Sequence, residues 1–129
     1  MREKFDLQDR LIDLAVRVLK LCESLPDTFA GRHIATQLIR SGTSAAPNYG
    51  ESQGAESRAD FIHKLGVALK ELRETNVWLR IIVKSGMVKP PEKLEPLVKE
   101  TDELISILFA SVATAKRNNP PKRNSRETL

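Results

Sequence analysis

The sequence predicts an all-α protein, an antiparallel up-down-up-down four-helix bundle over residues 1–117, followed by a disordered basic C-terminal tail, residues 118–129. Aromatic residues make up only 5% of a chain that is 40% hydrophobic, so the core must be aliphatic, which suits helices better than sheets. Apolar residues recur at alternating steps of three and four in four segments, as in amphipathic helices. A length of 129 residues fits one domain.

The first helix is predicted from an apolar stripe that repeats at helical spacing. Its members are Leu11, Leu14, Val18, Leu21 and Leu25, widened by Ala15 and Cys22. Asp6 can cap the N-terminus, and Asp9 falls in the first turn, where the helix dipole favours an acid. Pro26 ends the helix, because proline disfavours helical geometry at the residue before it.

The second helix is predicted to begin near Asp27 or Thr28, both of which can act as caps. Its early apolar face consists of Ile34, Leu38 and Ile39. The following stretch, residues 41–54, is a weak helix former because of its glycines and because Pro47 crowds the carbonyl of Thr43. We therefore expect a kink or an early end there, with small side chains that let a neighbouring backbone come close.

The third helix is predicted from Ser57 to about Lys84, because Ser57 and Asp60 resemble a capping box and Ser85-Gly86 is a helical stop. One face consists of Phe61, Leu65, Ala68, Leu69, Leu72, Leu79 and Val83. Asn76 lies within that face and needs a hydrogen-bond partner.

The fourth helix is predicted after Pro90-Pro91, and Pro96 is tolerated if it falls in the first turn. Its apolar face consists of Leu94, Leu97, Val98, Leu104, Ile105, Leu108, Val112 and Ala115. With short joints between them, the four helices fit an up-down-up-down bundle.

A second apolar stripe lies on the third helix, opposite its core face. It consists of Val67, Val77, Trp78 and Ile81, with Ile82 between the two stripes. Because the chain is too short to surround such a helix, the stripe predicts a homo-oligomer with Trp78 in the interface. The alternative is that Trp78 only covers an edge of the bundle within one chain.

The positive charge is concentrated at the C-terminus. Residues 1–115 contain 16 Lys and Arg against 16 Asp and Glu, so the whole net charge of +4 comes from residues 116–129. The basic residues there are Lys116, Arg117, Lys122, Arg123 and Arg126. A basic arm on a neutral body is typical of proteins that contact nucleic acid or anionic surfaces, and the alternative is a merely solubilising end.

A basic stripe also runs along the third helix, where Lys70, Arg73, Arg80 and Lys84 share a narrow arc. Such a stripe can follow a phosphate backbone. The alternative, slightly favoured by the sequence, is a solvated face with acidic partners on neighbouring helices. Because no aromatic residues alternate with these cations, sequence-specific readout of single strands is not indicated.

The sequence predicts no catalytic residue, metal ligand or cofactor site. His33 and His63 have no His or Cys at ligand spacing, and Cys22 lies on an apolar stripe, where a small core residue is expected. Glu71 and Glu74 are one turn apart beside basic residues, so ion pairing is the better interpretation than acid-base chemistry. We therefore expect a protein that is not an enzyme.

The compartment predicted from the sequence is the cytoplasm. One cysteine allows no disulfide within the chain, which suits a reducing compartment. The charged N-terminus, MREKFDLQDR, does not resemble a signal peptide, and no apolar run is long enough to span a membrane.

Residues 40–79 carry a family resemblance. The motifs lie in residues 40–44, residues 48–51, residues 57–61 and residues 64–65, followed by a Glu-rich helix that ends in Trp78-Leu79. They resemble the four-helix-bundle proteins encoded in intervening sequences of bacterial 23S ribosomal RNA genes, and the related accessory variability proteins of diversity-generating retroelements.

The resemblance implies a ring of bundles, typically a pentamer, with a basic surface that binds nucleic acid. In the retroelement members it also implies association with a reverse transcriptase, and it carries over no catalytic residues. Because residues 1–115 have no net charge, the expected contact shifts toward residues 116–126.

From the sequence we thus expect a non-enzymatic, homo-oligomeric accessory protein that binds RNA or DNA. The alternative is a protein-interaction scaffold without nucleic-acid binding. The sequence leaves open whether Arg40 and Glu71 pair with each other.

Overall fold

The computed structural model describes residues 6–118, and within that range it contains helices and no strand. The helices are α1 (Leu7–Ser24), α2 (Phe29–Gly42), α3 (Ala45–Gln53), α4 (Arg58–Ser85), a short 3-10 helix (Pro91–Leu94) and α5 (Glu95–Asn118). Only two residues separate α2 from α3, and both helices pack against α1 and α4, so together they form one broken helix, the second rod of the bundle. The chain is therefore a four-helix bundle, and the predicted fold class is confirmed. Apart from Asn118, the predicted C-terminal tail lies outside the described residues.

The predicted caps of three helices are confirmed. In each, a side chain accepts a hydrogen bond from the backbone N–H three residues further on, at 3.0–3.1 Å: Asp6 from Asp9, Thr28 from Gly31 and Ser57 from Asp60. Gly86 ends α4 in the left-handed region, with φ of 77°, a conformation that glycine adopts at little cost.

The second rod is broken where the sequence predicts an early helix end. α2 ends at Gly42, and Thr43 and Ser44 connect it to α3. Pro47 falls in the first turn of α3, where a missing backbone N–H costs no helical hydrogen bond. The predicted close approach is also present, because a Cβ atom on Gly42 would lie only 2.7 Å from Cγ1 of Val18 in α1.

α4 is the central helix of the bundle. It packs against α2, α3, α5 and the 3-10 helix, while α1 packs against α2, α3 and α5. The largest fully buried apolar side chains are Leu11, Leu14, Leu38, Leu65, Leu72, Leu79, Ile82, Leu104, Leu108 and Val18. The core is therefore aliphatic, as the low aromatic content predicts.

One of the core residues predicted for α2 is not in the core. Ile39 is exposed, whereas Ile34 and Leu38 are buried as expected. The buried face of α2 continues from Leu38 to Ser41 and Gly42, which are close to the neighbouring helices. Because α2 is rotated so that Ser41 and Gly42 face the neighbouring helices, Ile39 faces away from the core. Ile82, which the sequence placed between two stripes, is fully buried.

Candidate nucleic-acid interface

The side of α4 that faces α2 is a paired polar surface. Arg40 of α2 binds Glu71 at 3.3 Å and also makes a short contact with Glu74. The indole N–H of Trp78 donates to Glu74 at 3.1 Å, and the ring meets His33 edge-on at 6.1 Å between centroids. The two glutamates thus take part in ion pairs, as predicted, and the open question of Arg40 and Glu71 is answered: they pair.

Beneath this surface lies a buried pair of hydroxyl groups. Thr75 of α4 donates to the carbonyl of Glu71 at 2.8 Å, and its Oγ1 lies 3.0 Å from Oγ of Ser41 in α2. Both residues are fully buried. The small side chain of Ser41 was expected to allow close approach, but Thr75 was missed, since threonine at one helical position gives no signal of a partner on another helix.

The side of α4 that faces α5 makes two specific contacts. Asn76 donates to Asp102 at 2.8 Å, so it has the partner that its position predicted. The guanidinium of Arg73 lies 5.7 Å from the ring centroid of Phe109, within cation–π range. These contacts fix α4 against α5 next to the basic stripe.

The basic stripe itself faces solvent. Its members Lys70, Arg73, Arg80 and Lys84 are all exposed, and among residues 6–118 they have no carboxylate partner within ion-pair distance.

Of the alternative interpretation, the solvated face is present, whereas acidic partners on neighbouring helices are not found within ion-pair distance among residues 6–118. Two acids, Glu92 and Glu95, lie close to one end of the stripe. They line an open cavity of about 400 Å³ together with Arg80 and Lys84, but they form no ion pair with either. Glu92 lies in the 3-10 helix, and Glu95 is the first residue of α5.

The structure divides the predicted oligomer interface into two parts. Val77 and Ile81 are 51% and 39% exposed, and they line a small cavity of about 150 Å³ with Arg80 and Lys84. Trp78 is half-buried against the core, and Val67 is half-buried too. Within one chain, Trp78 therefore covers the edge between α4 and α2, while Val77 and Ile81 lie within the basic stripe.

The C-terminal candidates are only partly described. Lys116 and Arg117 are exposed in the last turn of α5, where cations interact favourably with the helix dipole. Lys122, Arg123 and Arg126 lie outside the described residues.

One exposed apolar surface was not predicted. On α1, Ile12, Val16 and Leu19 are 45%, 43% and 43% exposed, on the side away from the core. The spacing of four and three between these residues could have indicated a second apolar surface, but the buried stripe of the same helix repeats with the same period. On another side of α1, Arg10 pairs with Glu100 and Glu103 of α5 at 2.8 and 3.0 Å, and the hydrogen bond to Glu100 raises the pKa of Arg10.

The remaining residues of chemical interest are Cys22 and the side chains that could bind a metal ion. Cys22 is buried, as predicted for a small core residue, and burial raises the pKa of its thiol to about 11. Over residues 6–118, no three His, Cys, Asp or Glu side chains are grouped so that they can hold a metal ion. In the same range, none of the helices combines the length and apolar character that a membrane span requires.

Comparison with known proteins gives two similarities. The sequence profile of the 23S rRNA-intervening sequence protein family matches residues 3–110. The chain is also similar to a solved structure of a protein with unknown function from the S23 ribosomal protein family of Bacteroides thetaiotaomicron VPI-5482. The two are 33% identical, the match covers 82% of this chain and 97% of that chain, and the TM-score is 0.76. No curated protein matches the chain.

Proposed function

The chain belongs to the family of 23S rRNA-intervening sequence proteins, and we propose that it is a cytoplasmic, non-enzymatic accessory protein that binds RNA or DNA through phosphate contacts. It acts as a homo-oligomer, a pentamer if it follows the assembly that the family resemblance implies. Binding through phosphates selects nucleic acid by charge and shape rather than by sequence.

The observation that carries the proposal is the exposed basic stripe of α4, whose four cations have no carboxylate partner among residues 6–118. From Lys70 to Lys84 it extends over 84 − 70 = 14 residue steps, which is about 21 Å at roughly 1.5 Å per residue. A duplex presents a charge about every 1.7 Å along its axis, so a stripe of this length can meet several phosphates. Cations that lack carboxylate partners are available to replace the counterions of those phosphates.

The C-terminal cations supply a second contact. Lys116 and Arg117 are exposed at the end of α5, and Lys122, Arg123 and Arg126 follow in the sequence. Together they account for the net positive charge of the chain. This distribution supports binding by two basic groups of residues on one protein.

A second candidate function is a protein-interaction scaffold. It is favoured by the exposed Val77 and Ile81, because apolar side chains amid charges are common at protein interfaces. The resemblance to retroelement accessory proteins suggests a reverse transcriptase as such a partner. Under this alternative, the basic stripe steers a protein and not a nucleic acid.

The test is a fluorescence titration of short RNA and DNA, both single-stranded and duplex, at low and moderate salt. We expect affinity to fall steeply with salt. Arg73→Gln with Arg80→Gln should reduce the slope of log affinity against log salt by about 1.8 on duplex, at roughly 0.9 for each phosphate that is no longer neutralised. Replacing the five C-terminal cations by Gln should reduce the slope further.

The matched control is Arg17→Gln with Lys20→Gln, which removes two exposed cations from α1 instead of α4. We expect this variant to bind nearly as the wild type does. Equal losses in the two double variants would mean that only net charge matters and would refute the α4 stripe as a site. No binding by the wild-type protein would favour the scaffold.

A further inference from the structure

Two helices carry an apolar line on the side that faces away from the core. On α1 the line is formed by Ile12, Val16 and Leu19, and on α4 by Val77 and Ile81. All five side chains are more than a third exposed. The α1 residues are spaced by four and three and the two α4 residues by four, so in each line the side chains lie one above another on one helix and offer a seam to another helix.

Both lines end in charged residues at the same helical spacing. The α1 line runs from Asp9 through its three apolar residues to Glu23. The α4 line runs from Lys70 through Glu74 and the two apolar residues to Lys84, and the carboxylate of Glu74 already binds Arg40 and Trp78.

The two lines match in length and are opposite in terminal charge. Each extends over fourteen residue steps, since 23 − 9 and 84 − 70 are both 14, which is about 21 Å along either helix. The α1 line thus has an acid at each end, and the α4 line has a lysine at each end. Opposite charges at both ends of an apolar seam are a mark of complementary interfaces.

Neither line fits a copy of itself. Two α1 lines placed side by side bring acids against acids at both ends, whether the helices are parallel or antiparallel. Two α4 lines bring lysines against lysines in the same way. Like charges that face each other across an interface suppress such pairings. An α1 line against an α4 line brings acids to lysines in either orientation.

We infer that the α1 line of one chain docks on the α4 line of a second copy of this chain. The inference rests on the homo-oligomer part of the proposed function and names the surfaces that form the contact. The contact is heterologous, because each copy uses a different surface toward each neighbour, and such contacts generate rings or open filaments. In the oligomer Lys70 and Lys84 meet the acids of the neighbouring copy, so the phosphate contacts of α4 fall to Arg73 and Arg80, which lie on the side of α4 toward α5 and outside the seam.

The experiment measures mass by light scattering for the full chain and three aspartate variants. Val16→Asp disrupts the α1 line, Ile81→Asp disrupts the α4 line, and Phe29→Asp is the control, since Phe29 is 84% exposed and lies on neither line. We expect the wild-type protein and Phe29→Asp to be oligomers of equal mass. Val16→Asp and Ile81→Asp should each lose the oligomer and give the 14.5 kDa chain. Circular dichroism checks that all four remain helical.

Mixing the two disrupted variants gives the decisive result. Val16→Asp keeps an intact α4 line and Ile81→Asp keeps an intact α1 line, so the mixture should form a one-to-one dimer and nothing larger. If α1 paired with α1, Ile81→Asp alone would keep its oligomer, and this outcome would overturn the inference. A mixture that stays monomeric would overturn it as well.

A charge variant tests the ends of the seam. Asp9 already interacts within its own chain, so the reversal is made at Glu23. We expect Glu23→Lys to raise the concentration needed for assembly. One of the two single additions, Lys70→Glu or Lys84→Glu, should restore it, namely the one at the lysine that meets residue 23 of the neighbouring copy. Failure of that restoration would count against the inferred pairing.

Failure of the proposed homo-oligomer and failure of the inferred docking give different results. A wild-type protein that is monomeric at every concentration would refute the homo-oligomer and the inference with it, and the titration of nucleic acid would still be decided separately. A wild-type oligomer that withstands both Val16→Asp and Ile81→Asp would leave the homo-oligomer intact and refute only the docking of these two lines.

Discussion

The two sides of α4 differ in how completely their polar groups are paired within the chain. Toward α2, Arg40 binds Glu71 and Glu74, and the hydroxyls of Ser41 and Thr75 meet in the core. Toward solvent, four cations have no carboxylate partner among residues 6–118, and two apolar side chains lie among them. The paired side is explained by the fold of one chain, whereas the open side has features that the fold does not use.

The largest effect on stability is expected from the contrast between the packed side of α4 and its solvent-exposed side. Leu72 is fully buried on the core side of α4, so Leu72→Ala should lower the free energy of unfolding by about 2–5 kcal/mol through lost burial and a residual cavity. Lys70→Ala, two residues earlier on the exposed side, should change it by less than about 0.5 kcal/mol. Urea denaturation of the two variants measures both, and similar losses would contradict the division of α4 into two sides.

A smaller effect is expected from the buried hydroxyl pair. Thr75→Val keeps the shape but removes the oxygen that lies 3.0 Å from Ser41, and we expect a loss of about 1–2 kcal/mol in unfolding free energy. The double variant with Ser41→Ala should lose less than the sum of the two single losses, because no hydroxyl is left unpaired. Strictly additive losses in denaturant titrations would show that the two hydroxyls do not interact.

The smallest effect is expected at the ion pairs. Arg40→Gln should lower the free energy of unfolding by about 0.5–1 kcal/mol at low salt, since the pair is partly exposed. The loss should shrink as salt screens the charges. Arg80→Gln is the control and should leave thermal unfolding unchanged, because Arg80 has no carboxylate partner in the described range, residues 6–118. A loss at Arg80 as large as that at Arg40 would mean that the stripe is paired after all.

The parts of the fold that depend on local sequence were predictable. Helix periodicity, the caps at Asp6, Thr28 and Ser57, and the break before Pro47 all follow from interactions within a few residues. The exposure of Ile39 was not predictable in this way, because the rotation of α2 depends on how closely Gly42 approaches Val18 of another helix.

The same distinction between local signals and contacts of distant residues applies to the candidate site. The basic stripe could be predicted from the spacing along one helix, but its lack of carboxylate partners within residues 6–118 depends on where acids such as Glu92 and Glu95 lie relative to α4. The outer line of α1 was overlooked because a single stripe was expected on that helix, although Ile12, Val16 and Leu19 have a spacing as regular as the buried one. Contacts between distant helices, such as Arg10 with Glu100, had no signal in the sequence.

The break in the second rod also has a consequence for the order in which the chain folds. α3 has nine residues, fewer than the roughly 12–15 that an isolated helix needs to be even marginally stable in water. Because the joint at Thr43 and Ser44 separates it from α2, α3 gains little from the helix before it. Since α3 packs against α1 and α4, we predict that it forms after them and that its amides lose protection from hydrogen exchange before those of α1 and α4 do.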